Sequence, residues 1–332
     1  MNITYQDDED KELPIHILTG NLIHVIAYCL LMMISAAGNL TVLFQLVRRV
    51  RKNRASRLDL LLIHLSVADL LVTFFMMPIE VAWLMSAWWK AGDFACRLLM
   101  FTKVFGLYLS SFVVICIAID RYFIIIKPLL TSWDSRIRRD LTIAWVCAFF
   151  ASMPQSFFFH IEEHPNLKGY YQCVTHSTLP TVLHEVVYFA MNMMLMYVAP
   201  LITTIFCSTA ILLEIHRKSK ACDGNMRRSG VGVLERAKAK TMKLSVTIVT
   251  VFFVCWSPYY AFCLWNWIDR DSARQLNPIL MKGLTIFACT NSCANPIVYG
   301  IFNRRRSQKS RDNPEEQQLS NLPTITTSVK KI

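Results

Sequence analysis

The stretch CRLLMFTKVFGLYLSSFVVICIAIDRY, residues 96–122, decides the fold. It is apolar over more than the ~20 residues that a helix needs to cross a membrane. Lys103 and Arg121 are eighteen residues apart, so at 100° per residue they share one helix face, roughly 27 Å apart. Ser110 lies about 20° from that face. Polar residues within a membrane face the protein interior and mark a function, so we expect a helical bundle with a functional polar face.

The composition of the whole chain is typical of a polytopic membrane protein. Of its 332 residues, 54% are hydrophobic and only 17% are charged, a balance that soluble domains of this length rarely show. Seven apolar segments are long enough to span a membrane: 22–46, 58–86, 96–126, 139–159, 185–214, 240–267 and 280–301. The sequence therefore predicts an all-α membrane protein with a seven-transmembrane helix bundle at 22–301. An extracellular N-terminal tail (1–21), a short amphipathic eighth helix (302–311) and a disordered cytoplasmic tail (312–332) complete the predicted domains.

Charge in the connecting segments predicts the orientation in the membrane. The first connection is rich in arginine and lysine between Arg48 and Arg57, and Arg304, Arg305 and Arg306 follow the seventh span. Because basic loops stay in the cytosol, we expect a plasma-membrane protein with an extracellular N-terminus and a cytoplasmic C-terminus. This topology and attraction to anionic inner-leaflet lipid explain the net charge of +12, with no nucleic acid as a partner.

Two features of the predicted outer side follow from this orientation. Asn2-Ile3-Thr4 is an acceptor for N-glycosylation at Asn2. Cys96 and Cys173 are the clear outer-side cysteines among the eleven in the chain, and both would meet an oxidising compartment. We therefore expect a disulfide between them.

Further polar residues lie where an apolar helix has no need of them. Asp69 is a lone carboxylate in the middle of the second span, and Glu80 follows about three turns later on the same face. Asn291, Asn295 and Tyr299 form an i, i+4, i+8 row on the seventh span. Taken singly, such residues are explained by helix packing or interhelical hydrogen bonds; their order on successive spans needs another explanation.

The chain resembles the rhodopsin-like (class A) G-protein-coupled receptors over about residues 22–311. The motifs that carry the resemblance are Gly38-Asn39, the run Leu65–Asp69, Cys96 with Cys173, Asp120-Arg121-Tyr122, Trp145, Cys255-Trp256-Ser257-Pro258 and Asn295-Pro296-Ile297-Val298-Tyr299. The resemblance implies that an agonist repacks the bundle around Trp256 and Pro258, and that Arg121 then receives a G protein α subunit. The implied activation residues are Asp120, Arg121, Tyr122, Trp256, Pro258, Asn295, Pro296 and Tyr299.

The resemblance also implies a sodium pocket that favours the inactive receptor. Its members would be Asn39, Asp69, Ser110, Asn291, Ser292 and Asn295. A buried carboxylate beside hydroxyl and amide oxygens is a site for a small hard cation, so Asp69 and Ser110 are the expected metal-binding residues. We expect agonist and this allosteric Na⁺ to oppose each other by about 1–3 kcal/mol, and we expect no other cofactor.

Two positions depart from the family pattern. Lys238 occupies the base of the sixth span where the family has an acid, so the family's ionic lock to Arg121 cannot form. Asp120 is then the expected resting partner of Arg121. Ser208 occupies a position where the family often has a tyrosine, which removes the usual active-state partner of Tyr299.

Within this family the chain is most similar to the gonadotropin-releasing-hormone receptor superfamily, above all to the invertebrate adipokinetic-hormone receptors. The stretches that carry this similarity are MMPIEVAW (76–83), Lys103 with FGLYLSS (105–111), MPQ (153–155), YQCVT (171–175), SPYY (257–260), WNWID (265–269) and NSC (291–293). Ligands of that group are short peptides with an N-terminal pyroglutamate, aromatic residues and an amidated C-terminus. The implied ligand-binding residues are Glu80, Lys103, Gln155, Tyr259, Tyr260, Trp265, Trp267 and Asp269. Leu84 replaces the asparagine with which the family recognises the amide.

The same similarity implies the intracellular partners. It indicates coupling through a Gq-type protein to phospholipase C and calcium. Phosphorylation of serines and threonines between Ser307 and Ser328, which would recruit arrestin, is a separate hypothesis. A receptor for corazonin- or vasopressin/oxytocin-type peptides is the alternative ligand assignment. A channel or transporter with an ion path along Asp69, Ser110 and Asn295 is the alternative from a different class. An enzyme is not expected, since the sequence shows no nucleophile elbow, zinc motif or phosphate loop.

Overall fold

Long helices follow the predicted apolar spans. The computed structural model describes residues 6–86, 89–126, 133–163, 169–175, 178, 181–222, 231–269, 272 and 278–312. Its helices are α1 (Gln6–Arg51), α2 (Arg57–Leu71), α3 (Met77–Met85), α4 (Gly92–Ile126), α5 (Trp133–Phe158), α6 (Val182–Met193), α7 (Ala199–Cys222), α8 (Val231–Ile268) and α9 (Pro278–Asp312). In this part of the chain, six stretches are long and apolar enough to cross a membrane: Asn21–Arg51, Arg57–Met85, Gly92–Ile126, Ser135–Phe158, Leu183–Arg217 and Met242–Ile268. The seventh span lies in α9, which is less apolar because it carries Asn291, Ser292 and Asn295.

Two spans contain a π-helical turn that ends two residues before a proline. Val72–Met76 joins α2 to α3 ahead of Pro78, and Met194–Val198 joins α6 to α7 ahead of Pro200. Proline lacks a backbone N–H and cannot bond to the carbonyl four residues earlier, so the helix widens locally. Three further prolines lie inside continuous helices: Pro154 in α5, Pro258 in α8 and Pro296 in α9. The π turn in the second span determines which residues α3 presents to the bundle.

The third span, α4, lies at the centre and packs against α2, α5, α7 and α8. Tyr108 and Ile117 of this helix are 0% exposed. Gly106 allows the close approach of the second span, since a Cβ at this position would lie 2.9 Å from the backbone nitrogen of Val72. Ser110 is buried in the same packed interior, as the polar face of this helix predicts.

A short antiparallel hairpin departs from the all-α prediction. Strand β1 (His160–Glu163) pairs with β2 (Tyr171–Val174), and Ile161 lies opposite Cys173. The predicted disulfide between Cys96 and Cys173 is present and ties β2 to the start of α4. The hairpin was missed because each strand has only four residues and is held by this bond and by a hydrogen bond of 3.0 Å from the Ile161 N–H to the Asp93 carboxylate. We call this side of the bundle the disulfide end.

The opposite side of the bundle carries Arg121, and we call it the arginine end. Here Ser56 begins α2 through a capping box, accepting from the Asp59 N–H at 3.2 Å and donating its own N–H to the Asp59 carboxylate at 2.8 Å. Arg49, in the last turn of α1, lies 3.4 Å from the same carboxylate. The Asp59 carboxylate thus binds both the end of α1 and the start of α2.

The helices at both ends of the described chain extend beyond the predicted spans. The first helix begins at Gln6, within the predicted N-terminal tail, and α9 continues to Asp312 without a break before residues 302–311. The segment 302–311 is therefore helical, and side-chain positions from residue 303 onward lie outside the described set. Asn2 and residues 313–332 of the predicted cytoplasmic tail also lie outside the described residues.

Candidate functional site

An ion pair between Glu80 and Lys103 lies inside the bundle near the disulfide end. Lys103 Nζ is 2.5 Å from Glu80 Oε1, and the two side chains are 19% and 18% exposed. The same ammonium lies 4.4 Å from the ring centroid of Trp83, a cation–π contact. The pair is largely shielded from solvent yet accessible, so its charges act on a bound group more strongly than they would in water.

The helices of four spans bring this pair together with aromatic side chains. Glu80 lies in the first turn of α3, directly after the π turn. Lys103 lies on α4, about 10 Å further into the bundle than the disulfide cysteine of that helix. Tyr28 of α1 and Tyr259 of α8 lie close enough to Glu80 for its charge to act on their hydroxyl groups. We call the set Tyr28, Glu80, Trp83, Lys103 and Tyr259 the polar-aromatic site.

An aromatic cluster on α8 borders the polar-aromatic site. The ring centroid of Trp256 lies 6.1 Å from that of Tyr259 and 5.8 Å from that of Tyr260. Tyr260 stacks on Tyr197 of the fifth span with 4.8 Å between centroids. A ligand that reaches Tyr259 is therefore one ring away from Trp256, the predicted centre of activation.

Pro258 interrupts the hydrogen bonding of α8 at this cluster. Because proline has no N–H, the carbonyl of Val254 loses its helical partner. The neighbouring Ser257 donates to the carbonyl of Phe253 at 2.6 Å and lies 2.7 Å from the Tyr197 hydroxyl. The part of the sixth span around Pro258 is thus connected to the fifth span by a side-chain hydrogen bond.

The remaining predicted ligand residues lie further out. Gln155 of α5 is buried beside Tyr188 of α6. Asp269 follows the end of α8, is exposed, and accepts from the Ser272 N–H at 3.0 Å. Leu84, in place of an amide side chain, leaves only its backbone carbonyl as a polar group, and this accepts from the Asn21 amide at 3.0 Å.

The two tryptophans near the end of α8 face different ways. Trp267 is half-buried and lies eleven residues after Trp256, on the same helix face. Trp265 is 41% exposed, lies on the opposite face, and contacts Phe262 at a centroid distance of 6.4 Å. Trp267 therefore shares the helix face of Trp256, and Trp265 does not.

A second polar cluster is centred on Asp69, deeper in the bundle. Asp69 is 0% exposed, and its carboxylate accepts from the Asn295 side-chain amide at 2.8 Å. The Ser292 side chain lies beside the same carboxylate, and the Ser292 carbonyl accepts from the Asn39 amide at 2.8 Å. Ser110 is also buried, so the first, second, third and seventh spans all contribute to the predicted sodium pocket.

Several oxygens of this pocket have no hydrogen-bond partner among the described residues. These atoms are Asn39 Oδ1, Asp69 Oδ1, Ser110 Oγ, Asn291 Oδ1 and Asn295 Oδ1. A buried acceptor without a donor is costly, and native proteins satisfy such atoms with a bound ion or water. A carboxylate with amide and hydroxyl oxygens is also the donor set that a hard cation prefers, so these residues fit the expected Na⁺.

Sequence reasoning missed two members of this network, Ser35 and Thr73. Their hydroxyls lie 2.6 Å apart, and Thr73 donates to the carbonyl of Asp69 at 2.6 Å. The Asn39 amide also donates to Ser35 Oγ at 3.1 Å. A signal was available, because Ser35 precedes Asn39 by four residues and Thr73 follows Asp69 by four, which places each on the face of its predicted partner.

At the arginine end, Arg121 is buried and pairs with Asp120. Asp120 is the residue expected from the sequence to pair with Arg121, and its role in the resting receptor stays a prediction. Tyr122 stacks on Phe206 of α7 at a centroid distance of 6.1 Å. The side chain of Lys238 lies outside the described residues.

The end of the seventh span packs against the first. The guanidinium of Arg49 lies 5.9 Å from the ring centroid of Tyr299, which is 5% exposed. Gly38 faces Pro296 so closely that a Cβ on the glycine would lie 2.7 Å from the proline Cγ. Sequence reasoning did not anticipate the contact between Arg49 and Tyr299.

The order of these sites along the spans matches a known family. The pattern of the 7 transmembrane receptor (rhodopsin family) matches residues 38–299. The chain belongs to this family of class A G-protein-coupled receptors. The expected fold is thereby confirmed, and the chain is a multi-pass membrane receptor rather than an enzyme.

Individual relatives narrow the assignment to the gonadotropin-releasing-hormone receptor type. The gonadotropin-releasing hormone II receptor of Clarias gariepinus is 33% identical over 290 residues, which cover 86% of this chain and 76% of the relative. The gonadotropin-releasing hormone receptor of Sus scrofa is 29% identical over 300 residues, covering 87% and 91%. That of Rattus norvegicus is 29% identical over 303 residues, covering 88% and 91%. These matches confirm the superfamily expected from the sequence.

Proposed function

We propose that this receptor binds a short amidated neuropeptide of the adipokinetic or gonadotropin-releasing-hormone type at the polar-aromatic site. The observation that carries the proposal is the partly buried pair of Glu80 and Lys103 under the Trp83 ring. The relatives of this chain that are named gonadotropin-releasing hormone receptors also support a peptide ligand of this class.

The chemistry of the pair favours a neutral, polar peptide end. A pyroglutamyl lactam offers carbonyl oxygens to the Lys103 ammonium and an N–H to the Glu80 carboxylate. It carries no charge, so it does not need to break the pair to bind. A free amino terminus would meet Lys103 as a like charge, which disfavours it.

The aromatic part of the peptide is proposed to lie above this anchor. Tyr259 and Tyr260 offer rings with hydroxyl groups, and Trp267 lies on the same face of α8 nearer the disulfide end. Gln155 and Asp269 are proposed to bind polar groups at the edge of the site. Trp265 is also proposed to contact the peptide, at a part of the ligand that reaches the outer face of α8.

The proposed orientation has the disulfide end outside the cell. It is supported by the basic segments at the arginine end and by the disulfide itself, which forms in an oxidising compartment. Asn2 is then a proposed glycosylation site, and the arginine end receives a Gq-type protein that activates phospholipase C and raises calcium. Arrestin recruitment by the phosphorylated C-terminal tail is proposed as well.

The Asp69 cluster is proposed to hold Na⁺ and to favour the inactive receptor. Its support is the set of buried oxygens without partners among the described residues. When bound, the ion supplies a positive charge between the second, third and seventh spans, and Asn295 and Ser292 orient the Asp69 carboxylate toward it. An agonist that repacks these spans would weaken the ion's binding, and the reverse holds by linkage.

The peptide assignment is tested by recording calcium in cells that express the receptor. The panel contains adipokinetic, gonadotropin-releasing, corazonin and vasopressin-like peptides, and each pyroglutamyl peptide is paired with an analogue in which glutamine replaces the pyroglutamate. We expect a response to a pyroglutamyl peptide that is lost in Glu80→Ala and Lys103→Ala at unchanged surface expression. A response only to corazonin or vasopressin-like peptides would transfer the receptor to the alternative ligand class, and a silent panel would overturn the ligand proposal.

A further inference from the structure

A groove between the first and seventh spans faces the membrane and takes no part in the proposed peptide response. It has a volume of about 520 Å³, and Ile34, Thr41, Gln45, Pro296, Ile297 and Gly300 are among its lining residues. The two helices approach most closely where Gly38 meets Pro296. Nearer the arginine end the groove wall includes Gly300, where an added Cβ would meet no atom within 4 Å.

The upper lining of the groove is apolar, as the surface of a membrane helix is expected to be. Ile34 is 49% exposed and Ile297 is 54% exposed. Ile34 lies in the first span and Ile297 in the predicted seventh, so we expect their exposed surface to face lipid chains. This part of the groove suits an acyl chain rather than a polar ligand.

The lower lining is polar. Gln45 is exposed on the membrane-facing side, and its amide has no hydrogen-bond partner within the described part of the chain. The Thr41 hydroxyl donates to the carbonyl of Ala37 in its own helix at 2.7 Å, which leaves its oxygen able to accept a further bond. Gln45 lies one turn before Arg48 near the end of the first span, so its amide is placed to bind ester or phosphate oxygens of a lipid.

The polar lining continues into a pair of cations. Thr41, Gln45, Arg48 and Lys52 follow an i, i+4, i+7, i+11 pattern, with Lys52 in the turn just after α1. Arg48 and Lys52 are exposed, and in the described structure neither forms an ion pair. Arg49, on a different face of the helix, is instead turned toward Asp59.

We propose that this groove binds an anionic phospholipid from the leaflet at the arginine end. One acyl chain lies against Ile297 and Gly300, the ester region meets Gln45, and the phosphate lies between Arg48 and Lys52. Basic residues at such a boundary attract anionic lipid, and two of them match a headgroup that carries net negative charge. A sterol would leave both cations without a partner, because its single hydroxyl is neutral. The inference does not rest on the peptide assignment.

The test compares lipid retention by the purified receptor in native mass spectrometry, with phosphatidylserine and phosphatidylcholine of identical acyl chains. We expect the full-length receptor to retain phosphatidylserine roughly tenfold more strongly. Arg48→Gln with Lys52→Gln should remove this preference. Arg51→Gln with Arg54→Gln removes the same charge from the same end of α1 at positions off the groove and should keep the preference.

A second variant tests the groove itself. Gly300→Phe fills the groove from a position where a Cβ is tolerated, and it should lower retention of both lipids while the thermal midpoint confirms folding. Equal losses in both charge variants would show diffuse attraction and overturn the proposal. Unchanged retention in Gly300→Phe would overturn it too. So would retention of cholesterol that does not depend on Arg48 and Lys52, or the formation of receptor dimers that exclude lipid from this face.

Discussion

The side-chain amide of Asn295 donates a hydrogen bond of 2.8 Å to the carboxylate of Asp69, so the second and seventh spans meet at one buried charge. Asp69→Asn removes that charge and keeps the shape of the side chain. We expect agonist affinity of the unmodified receptor to fall by roughly 5–150-fold when Na⁺ replaces a large organic cation, and Asp69→Asn to show no such fall. Agonist binding at constant ionic strength, measured with each cation, tests both the unmodified receptor and Asp69→Asn.

A matched control is available on the same span. Asp59 is also buried but caps α2 at the arginine end, so Asp59→Asn should keep the sodium effect. A sodium effect of normal size in Asp69→Asn would contradict the proposed pocket.

Charge exchange separates the structural and ligand-binding roles of Glu80 and Lys103. Glu80→Lys or Lys103→Glu alone places like charges about 2.5 Å apart, so each should reduce surface expression. The double exchange restores an ion pair and should restore expression. It should not restore the peptide response, because each charge then faces the wrong part of the ligand. Restored signalling in the double variant would show that the pair is only structural.

The hairpin at the disulfide end depends on one covalent bond. Cys96→Ala or Cys173→Ala opens a loop spanning 77 residues, for which chain entropy predicts a loss of about 4–5 kcal/mol. We expect each variant to lower the thermal midpoint and the peptide response, and the double variant to be no worse than either single one. Cys147→Ala, at an exposed free cysteine, is the control that should change neither.

Close packing at Gly106 makes a simple stability prediction. Gly106→Ala places a Cβ 2.9 Å from the backbone of Val72 and should destabilise the receptor by about 1–3 kcal/mol. Gly283→Ala adds the same methyl group where nothing lies within 4 Å, so it should be neutral or slightly stabilising. Thermal unfolding in detergent compares the two, and equal midpoints would refute the packing argument.

The pairing of Arg121 with Asp120 predicts a resting-state restraint. Asp120→Asn removes the partner charge and should raise agonist-independent inositol phosphate production, because Arg121 is then freer to receive the G protein. Arg121→Ala should abolish coupling while peptide binding persists. Both variants are compared with the unmodified receptor at matched surface expression. Unchanged basal activity in Asp120→Asn would argue against the restraint.

The sequence predicted the parts of the receptor that depend on local composition and helix periodicity. The lengths of the apolar stretches predicted the membrane spans. The rotation of 100° per residue in an α-helix placed Lys103, Ser110 and Arg121 on one face of a single helix. The disulfide between Cys96 and Cys173 followed from the predicted outer side. These features need no knowledge of how helices pack, because membrane length and side-chain polarity constrain each helix separately.

Tertiary structure decided the rest. The hairpin around Cys173, and the partial burial of Trp267 beside the exposed Trp265, depend on contacts between distant segments. So does the contact of Arg49 with Tyr299, which joins residues that no periodic pattern relates. Sequence periodicity shows which face of a helix is polar, but only packing shows which partner that face meets, because the partner lies on another span.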